Sequence, residues 1–155
     1  MTASQQAIDL IKEQEGCILH TYLDSANVKT IGYGSTMLTD GSKPAIGLKI
    51  TQQQADSLLN WEVNNKTAAL SGLLKGSFVN QNQFDALTSF VFNVGVGALE
   101  GSTLLKKLKV NPNDPTIRDE FLKWDKITKN GKKVTLDDLS KRRAIEANLY
   151  FKSIT

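Results

Sequence analysis

The chain has 155 residues, 40% of them hydrophobic and 23% charged, with one cysteine, one histidine and a net charge of +3. That length and balance predict one globular domain with a real core. The lone Cys17 excludes an internal disulfide, and no run approaches the roughly 18 apolar residues of a membrane span. Residues 1–99 carry six Lys/Arg against eight Asp/Glu, and residues 100–155 carry thirteen against eight. The basic half points either to an anionic partner or to a solvated basic face. The first fifteen residues are polar and amphipathic and lack the pattern of a secretory signal. With a single thiol, this fits synthesis in a reducing cytoplasm.

Thr2 and Gln5 have capping-box spacing, with Ile8 and Ile11 following at helical spacing, so a first helix is predicted over 3–14. Gly16 stops it, which makes Glu15 the last side chain before the chain turns. From residue 21 to 34 the character changes. Tyr22, Val28, Thr30, Ile31 and Tyr33 favour strands around a turn at Ser25-Ala26-Asn27. A small antiparallel hairpin follows, with a third strand near residue 37 or 45–48. Gly32 and Gly34 flank Tyr33. Glycines there mark either a close backbone approach by a ligand or plain turn flexibility, and Tyr33 and Gly34 are carried as candidate substrate contacts.

The rest reads as helical. Thr51 and Gln54 make a second capping box ahead of the stripe Ala55, Leu58, Leu59 and Val63, a helix reaching about residue 70. Asn80 and Gln83 open a segment apolar on most sides, a buried core helix ended by Gly95 and Gly97. Ser102 caps a short basic helix through Leu108. Asp114-Pro115 reads as a cap followed by proline at the first helical position, with Ile117, Phe121 and Trp124 as the buried face. Asn130-Gly131 is a hairpin turn between Ile127 and Val134. A last helix starts after Thr135, with Asp138 three residues on, and runs towards Phe151. The fold class is α+β: a small N-terminal β-hairpin lobe of about 16–50 and a larger helical lobe of about 51–155 plus the first helix, joined by a long helix.

Glu15 and Asp24 sit on different elements, a helix end and a hairpin, with the Thr30 hydroxyl on the returning strand. Two carboxylates held apart are what acid-assisted hydrolysis of an acetal requires. A carboxyl at the buried edge of a cleft can hold and donate a proton. Each residue also has a plainer reading: a surface ion pair for Glu15, an Asx-turn for Asp24, a strand filler for Thr30.

The motifs Glu15-Gly16, Tyr22-x-Asp24 and Thr30-Ile31-Gly32-Tyr33-Gly34-x-Thr36 resemble the active-site signature of the phage-type lysozymes. These are muramidases of the T-even phage lysozyme class and the related lambdoid endolysins. Phe90-Val91-Phe92-Asn93-Val94-Gly95 with Ser102-Thr103-Leu104-Leu105 resembles the family's buried helix and its sequel. Trp124, then Arg142-Arg143 with Glu146 and Leu149, resembles its C-terminal helix in the lambdoid branch.

The resemblance implies a lysozyme-like fold and peptidoglycan glycan strands as substrate, cut between N-acetylmuramic acid and N-acetylglucosamine with inversion. It implies Glu15 as general acid, Asp24 as the carboxylate that stabilises charge or activates water, and Thr30 as the hydroxyl that positions the water. No metal or cofactor is implied. Asn93 is a candidate cleft residue for the sugar N-acetyl group, or a plain helix-terminal amide. Arg142 either pairs with Glu15 or lies on a solvated basic face. Family members often carry His where this chain has Ser35, so local hydrogen bonding is expected to differ there. A monomer without a nucleic-acid partner is expected, made in the bacterial cytoplasm and reaching the wall by release or delivery. A lysozyme fold reused as a binding module is the alternative. The intact Glu15, Asp24 and Thr30 favour the enzyme.

Overall fold

The structure, a computed structural model, describes residues 1–154. Helix α1 (Gln5–Glu15) buries Ala7, Ile8 and Ile11. The predicted Thr2–Gln5 capping box does not form. The cap is Ser4, whose N–H donates to Asp85 at 2.9 Å and whose hydroxyl also bonds that carboxylate. A tertiary bond to the central helix has displaced the local one. Strands β1 (Ile18–Leu23) and β2 (Lys29–Gly32) pair antiparallel, with Tyr22 opposite Thr30 and an irregularity between Ile18 and Tyr22. The expected third strand is only a bridge of His20 with Lys49, flanked by bonds from Thr21 N to Leu48 O and from Ile50 N to Leu19 O.

Helix α2 (Gln52–Leu73) starts at Thr51 with a complete capping box and runs three residues past the predicted end. Its first half joins Ile8, Ile11 and Tyr33 in one buried cluster through Ala55, Leu59 and Val63. Its last turn, through Leu70, and its C-cap Leu74 join the larger cluster of the helical body. One helix thus serves two cores. Helix α3 (Gln81–Val94) also begins on a capping box, Asn80 with Gln83, and is buried continuously from Gln83 to Val91. Gly95 ends it, but Gly97 falls within an unforeseen short helix, α4 (Val96–Glu100). Helix α5 (Thr103–Val110) is capped by Ser102.

The cap of α6 (Ile117–Leu122) is Thr116, not Asp114. Asp114 instead accepts from the Thr116 N–H and hydroxyl in the turn before it. Trp124 lies beyond α6 and packs edge-on against Phe90. Strands β3 (Lys126–Lys129) and β4 (Lys132–Thr135) form the hairpin at Asn130-Gly131, both with positive φ as that tight turn demands. Helix α7 (Asp137–Tyr150) has Leu136 at its cap position and no side-chain cap; Asp137 and Asp138 in its first turn favour the helix dipole instead. Its main packing partner is α3. Among the described residues no helix is long and apolar enough to cross a membrane.

Phe90 is the centre of the larger core. It is fully buried, lies 5.5 Å edge-on from both Phe121 and Trp124, and carries the Arg143 guanidinium 5.1 Å from its ring centroid. Phe90→Ala is expected to lose about 3–5 kcal/mol of stability in urea unfolding, because three neighbours face the void.

A buried carboxylate, Glu120, ties α5 to α6 through Lys107 at 2.8 Å and Lys123 at 3.0 Å. The Lys107 bond, helped by Lys123, holds it below its ordinary value of 4.5. A lowered carboxylate stabilises the fold above the unfolded value and loses that contribution as pH falls through the folded one. Glu120→Gln should therefore lower the thermal midpoint at neutral pH and flatten its decline below pH 4.5. Melting curves across that range check it.

Candidate active site

Helix α1 ends at Glu15, and Gly16, with φ 67°, turns the chain into β1. The Glu15 side chain is 24% exposed. Its Oε1 accepts from Arg142 Nη1 of α7 at 2.6 Å. Its Oε2 faces Gly34, where a Cβ would stand 3.5 Å away. Gly34 has φ 81° and sits in a tight turn closed by two 2.9 Å backbone bonds between Ile31 and Ser35. Glycine both permits that turn and leaves Oε2 uncovered.

Glu15 and Gly34 line a cleft of about 400 Å³ together with Thr36 and Met37. Trp61, Glu62, Asn65 and Lys66 of α2 form another part of its lining, and Phe92 and Asn93 of α3 complete it. Lys66 lies 4.3 Å from the Phe92 ring centroid and donates to the Phe92 carbonyl at 3.3 Å. The Asn93 side-chain oxygen accepts from Arg143 at 2.8 Å. Sequence reasoning missed the α2 group. The spacing of Trp61 with Asn65 and of Glu62 with Lys66 sets them along one helix face, beside the stripe that marks the core.

Asp24 and Thr30 lie outside that lining. Asp24 Oδ1 accepts from the N–H groups of Ala26 at 2.8 Å and Val28 at 2.9 Å, shaping the hairpin turn. The buried Thr30 hydroxyl donates to the Val28 carbonyl at 2.8 Å. Tyr22 relates these residues to Glu15. It pairs across the hairpin with Thr30, so the two side chains share a face. Burial, with Asp24 and then Glu15 adding their negative charge, raises its phenol above the usual range. Both carboxylates thus act electrostatically on the same phenol.

Tyr33, expected as a substrate contact, also lies outside that lining. Its ring packs in the cluster with Ile11, Ala55 and Leu59, and its hydroxyl bonds Asp56 at 3.0 Å and Gln52 at 2.9 Å. It closes the core under the hairpin and does not face the cleft. Ser35 is buried, and its hydroxyl has no hydrogen-bond partner among the described residues.

Behind Glu15 lies a buried ionic cluster. Glu146, wholly buried, accepts from Ser89 Oγ at 2.6 Å and from Arg142 Nε at 3.3 Å. Arg143 Nε stands 2.7 Å from its other oxygen without the alignment of a hydrogen bond. Burial pushes the Glu146 carboxyl up; Arg143, Ser89 and Arg142 oppose that. A neutral Glu146 would leave two guanidiniums with only Glu15 against them, so the geometry supports the carboxylate. Among the described residues no three His, Cys, Asp or Glu side chains gather as metal ligands.

Residues 12–146 match the family model described as Phage lysozyme. The chain belongs to the phage lysozyme family. The match runs from within α1 to within α7, so it takes in Glu15, Asp24, Thr30, Arg142 and Glu146. An endolysin from Acyrthosiphon pisum secondary endosymbiont phage 1 is 41% identical over 150 residues, 97% of this chain and 98% of that protein. The solved structure of an endolysin from Escherichia coli O157:H7 phage FAHEc1 superposes with a TM-score of 0.91 at 38% identity, over 99% of this chain and 96% of that one. The muramidase domain of SpmX from Asticaccaulis excentricus superposes with a TM-score of 0.85 at 30% identity, over 98% and 99%. The fold is thus lysozyme-like, as members of the phage lysozyme family share it.

Proposed function

We propose that the protein is a peptidoglycan hydrolase of the muramidase type that lyses bacteria. It cuts the β-1,4 bond between N-acetylmuramic acid and N-acetylglucosamine by acid-assisted hydrolysis with inversion. Glu15 carries this reading: a carboxyl in the cleft wall with one oxygen fixed by Arg142 and the other open beside Gly34. The endolysin and muramidase-domain relatives support the same substrate class.

In this reading the proton donated to the glycosidic oxygen sits on Glu15 Oε2, because Oε1 is taken by Arg142. Asp24 keeps Oδ2 for a water, since Oδ1 serves the turn. Thr30 has already donated its proton to Val28, so its hydroxyl is left to accept one. A water that donates to both Thr30 and Asp24 has its lone pair free to attack the anomeric carbon from the face opposite Glu15. Gly34 and Asn93 contact the sugars, and Arg142 orients the acid. Carboxyls and water suffice for this chemistry, so it needs no metal or cofactor.

We place the chain as one lysozyme-like domain, with a β lobe of about 16–50 against a helical body. It acts as a monomer on the wall, without nucleic acid, after cytoplasmic synthesis and release or delivery. A second reading, a lysozyme fold used as a wall- or protein-binding module, draws support from the turn bonds that occupy Asp24. Turbidity loss of outer-membrane-permeabilised Gram-negative cells separates the two. Lysis by the wild type but not by folded Glu15→Gln supports the hydrolase; a folded wild type that binds wall without lysis supports the module.

A further inference from the structure

We propose that Glu146 is a positioning residue for Glu15, acting through Arg142, whose guanidinium it anchors so that one N–H meets the cleft carboxyl in a single place. The inference rests on the reading of Glu15 as the acid.

Glu146 touches none of the cleft. It lies one helical turn beyond Arg142 on α7, with its side chain fully buried. Arg142 is held at three nitrogens. Nε donates to Glu146 at 3.3 Å, Nη2 to the Ser89 carbonyl at 3.1 Å, and Nη1 to Glu15 at 2.6 Å. Three points fix both the place and the rotation of a planar group. Two of the three belong to the interior and only the third to the cleft, so the interior contacts decide where Nη1 stands. Glu146 is itself pinned by the Ser89 hydroxyl at 2.6 Å.

Arg143 repeats the arrangement. Its Nε contacts the other Glu146 oxygen at 2.7 Å, and its Nη2 donates both to Glu146 Oε2 at 3.4 Å and to Asn93 in the cleft at 2.8 Å. One buried carboxylate is therefore the hub of two guanidiniums whose far ends meet two different cleft residues. A buried ion cluster is seldom the most stabilising way to join two helices, because apolar side chains of similar volume do as well or better. Its retention between α3 and α7 is accounted for by where its arms end.

Charge follows from the same placement. Groups against Glu146 are Arg142 and Arg143 of α7 and Ser89 of α3. Groups around Glu15 are Arg142, Tyr22 of β1, and Glu62 and Lys66 of α2, which line the same cleft. With Glu146 ionised, the arginine pair presents one net positive charge towards Glu15. Without it the pair presents two, and a proton on Glu15 is released at lower pH.

The test is steady-state hydrolysis of purified, solubilised glycan strands across pH, by the wild type, Glu146→Gln and the double variant Glu146→Gln/Arg143→Gln, with folding followed by near-UV circular dichroism. Glu146→Gln is expected to lower kcat by about tenfold or more with KM changed by about twofold at most. It should also move the alkaline limb of the profile to lower pH. The double variant removes one buried cation along with the anion. Its alkaline limb should return towards the wild-type position while kcat stays low, because a neutral amide oxygen anchors Arg142 less firmly than the carboxylate does. If Glu146→Gln fails to fold, the double variant carries the test through kcat alone. A folded variant with wild-type kcat and a wild-type profile overturns the inference, as does a loss that only tracks the folded fraction. An inactive wild type overturns the reading of Glu15 together with it, whereas an active wild type indifferent to Glu146 overturns this inference alone.

Discussion

Glu15→Gln is expected to leave a folded protein that no longer cleaves the glycan chain. The substitution keeps the shape of the side chain. Its amide oxygen still accepts from Arg142 Nη1, which now stands 2.6 Å from Oε1. What disappears is the acid proton that the proposed mechanism draws from the oxygen beside Gly34, and an amide has none to donate at that acidity. General acid catalysis contributes roughly 10²–10⁴-fold, and the loss should reach at least that range. Arg142 keeps its bonds to Glu146 and to the Ser89 carbonyl, so α7 has no reason to move. Unchanged near-UV dichroism beside absent reducing-end release is the predicted pair of results. Substantial activity in the folded variant would remove Glu15 from the chemistry.

Asp24→Asn has the second-largest expected effect, and it separates the observed turn role of the residue from its proposed catalytic one. Asp24 Oδ1 holds the N–H groups of Ala26 and Val28. Asparagine keeps that acceptor, so the turn survives. The charge on Oδ2 is lost, and with it the pull on a water or on positive charge developing at the anomeric carbon. Hydrolysis should fall by about 10²-fold or more with little change in melting temperature. Asp24→Ala is the comparison. It also removes two turn bonds, each contributing roughly 0.5–1.5 kcal/mol, so stability should fall as well. Full activity in the asparagine variant would leave Asp24 as a turn residue only.

Local rules placed most of the helices because their signals are complete within a few residues. Thr51 with Gln54 and Asn80 with Gln83 form the capping boxes their spacing announces, and Asn130-Gly131 makes its hairpin turn. Two of the misplaced features depend on distant partners. Ser4 takes the cap of α1 because Asp85, 81 residues away, binds it. Residues 45–50 make only a few ladder bonds with β1, so their pattern resembles a strand without completing one. The motif residues identify Glu15, and the end of α1 puts it where a cleft can open. At Tyr33 the motif spans two environments: the ring follows the core while the glycine beside it follows the cleft.

Burial of charge is the part of the site least visible in a linear sequence. Arg142, Arg143 and Glu146 stand on a helix rich in charge, and such side chains are almost never fully buried unless paired. Their pairing depends on Ser89, which belongs to α3 and reads there as a small residue in an apolar helix. Likewise Trp61 and Asn65 gain meaning only when α3 closes the other side of the cleft.

The central claim is that the cleft around Glu15 hydrolyses the glycan chain, and the chemical identity of the products tests it most directly. Purified peptidoglycan digested by the wild-type protein, beside Glu15→Gln, would be separated and weighed by mass spectrometry. The expected products are disaccharide peptides carrying one added water, with reducing N-acetylmuramic acid ends, from the wild type alone. Anhydro-sugar ends, cleavage confined to the peptide stems, or the same products from both proteins would contradict it.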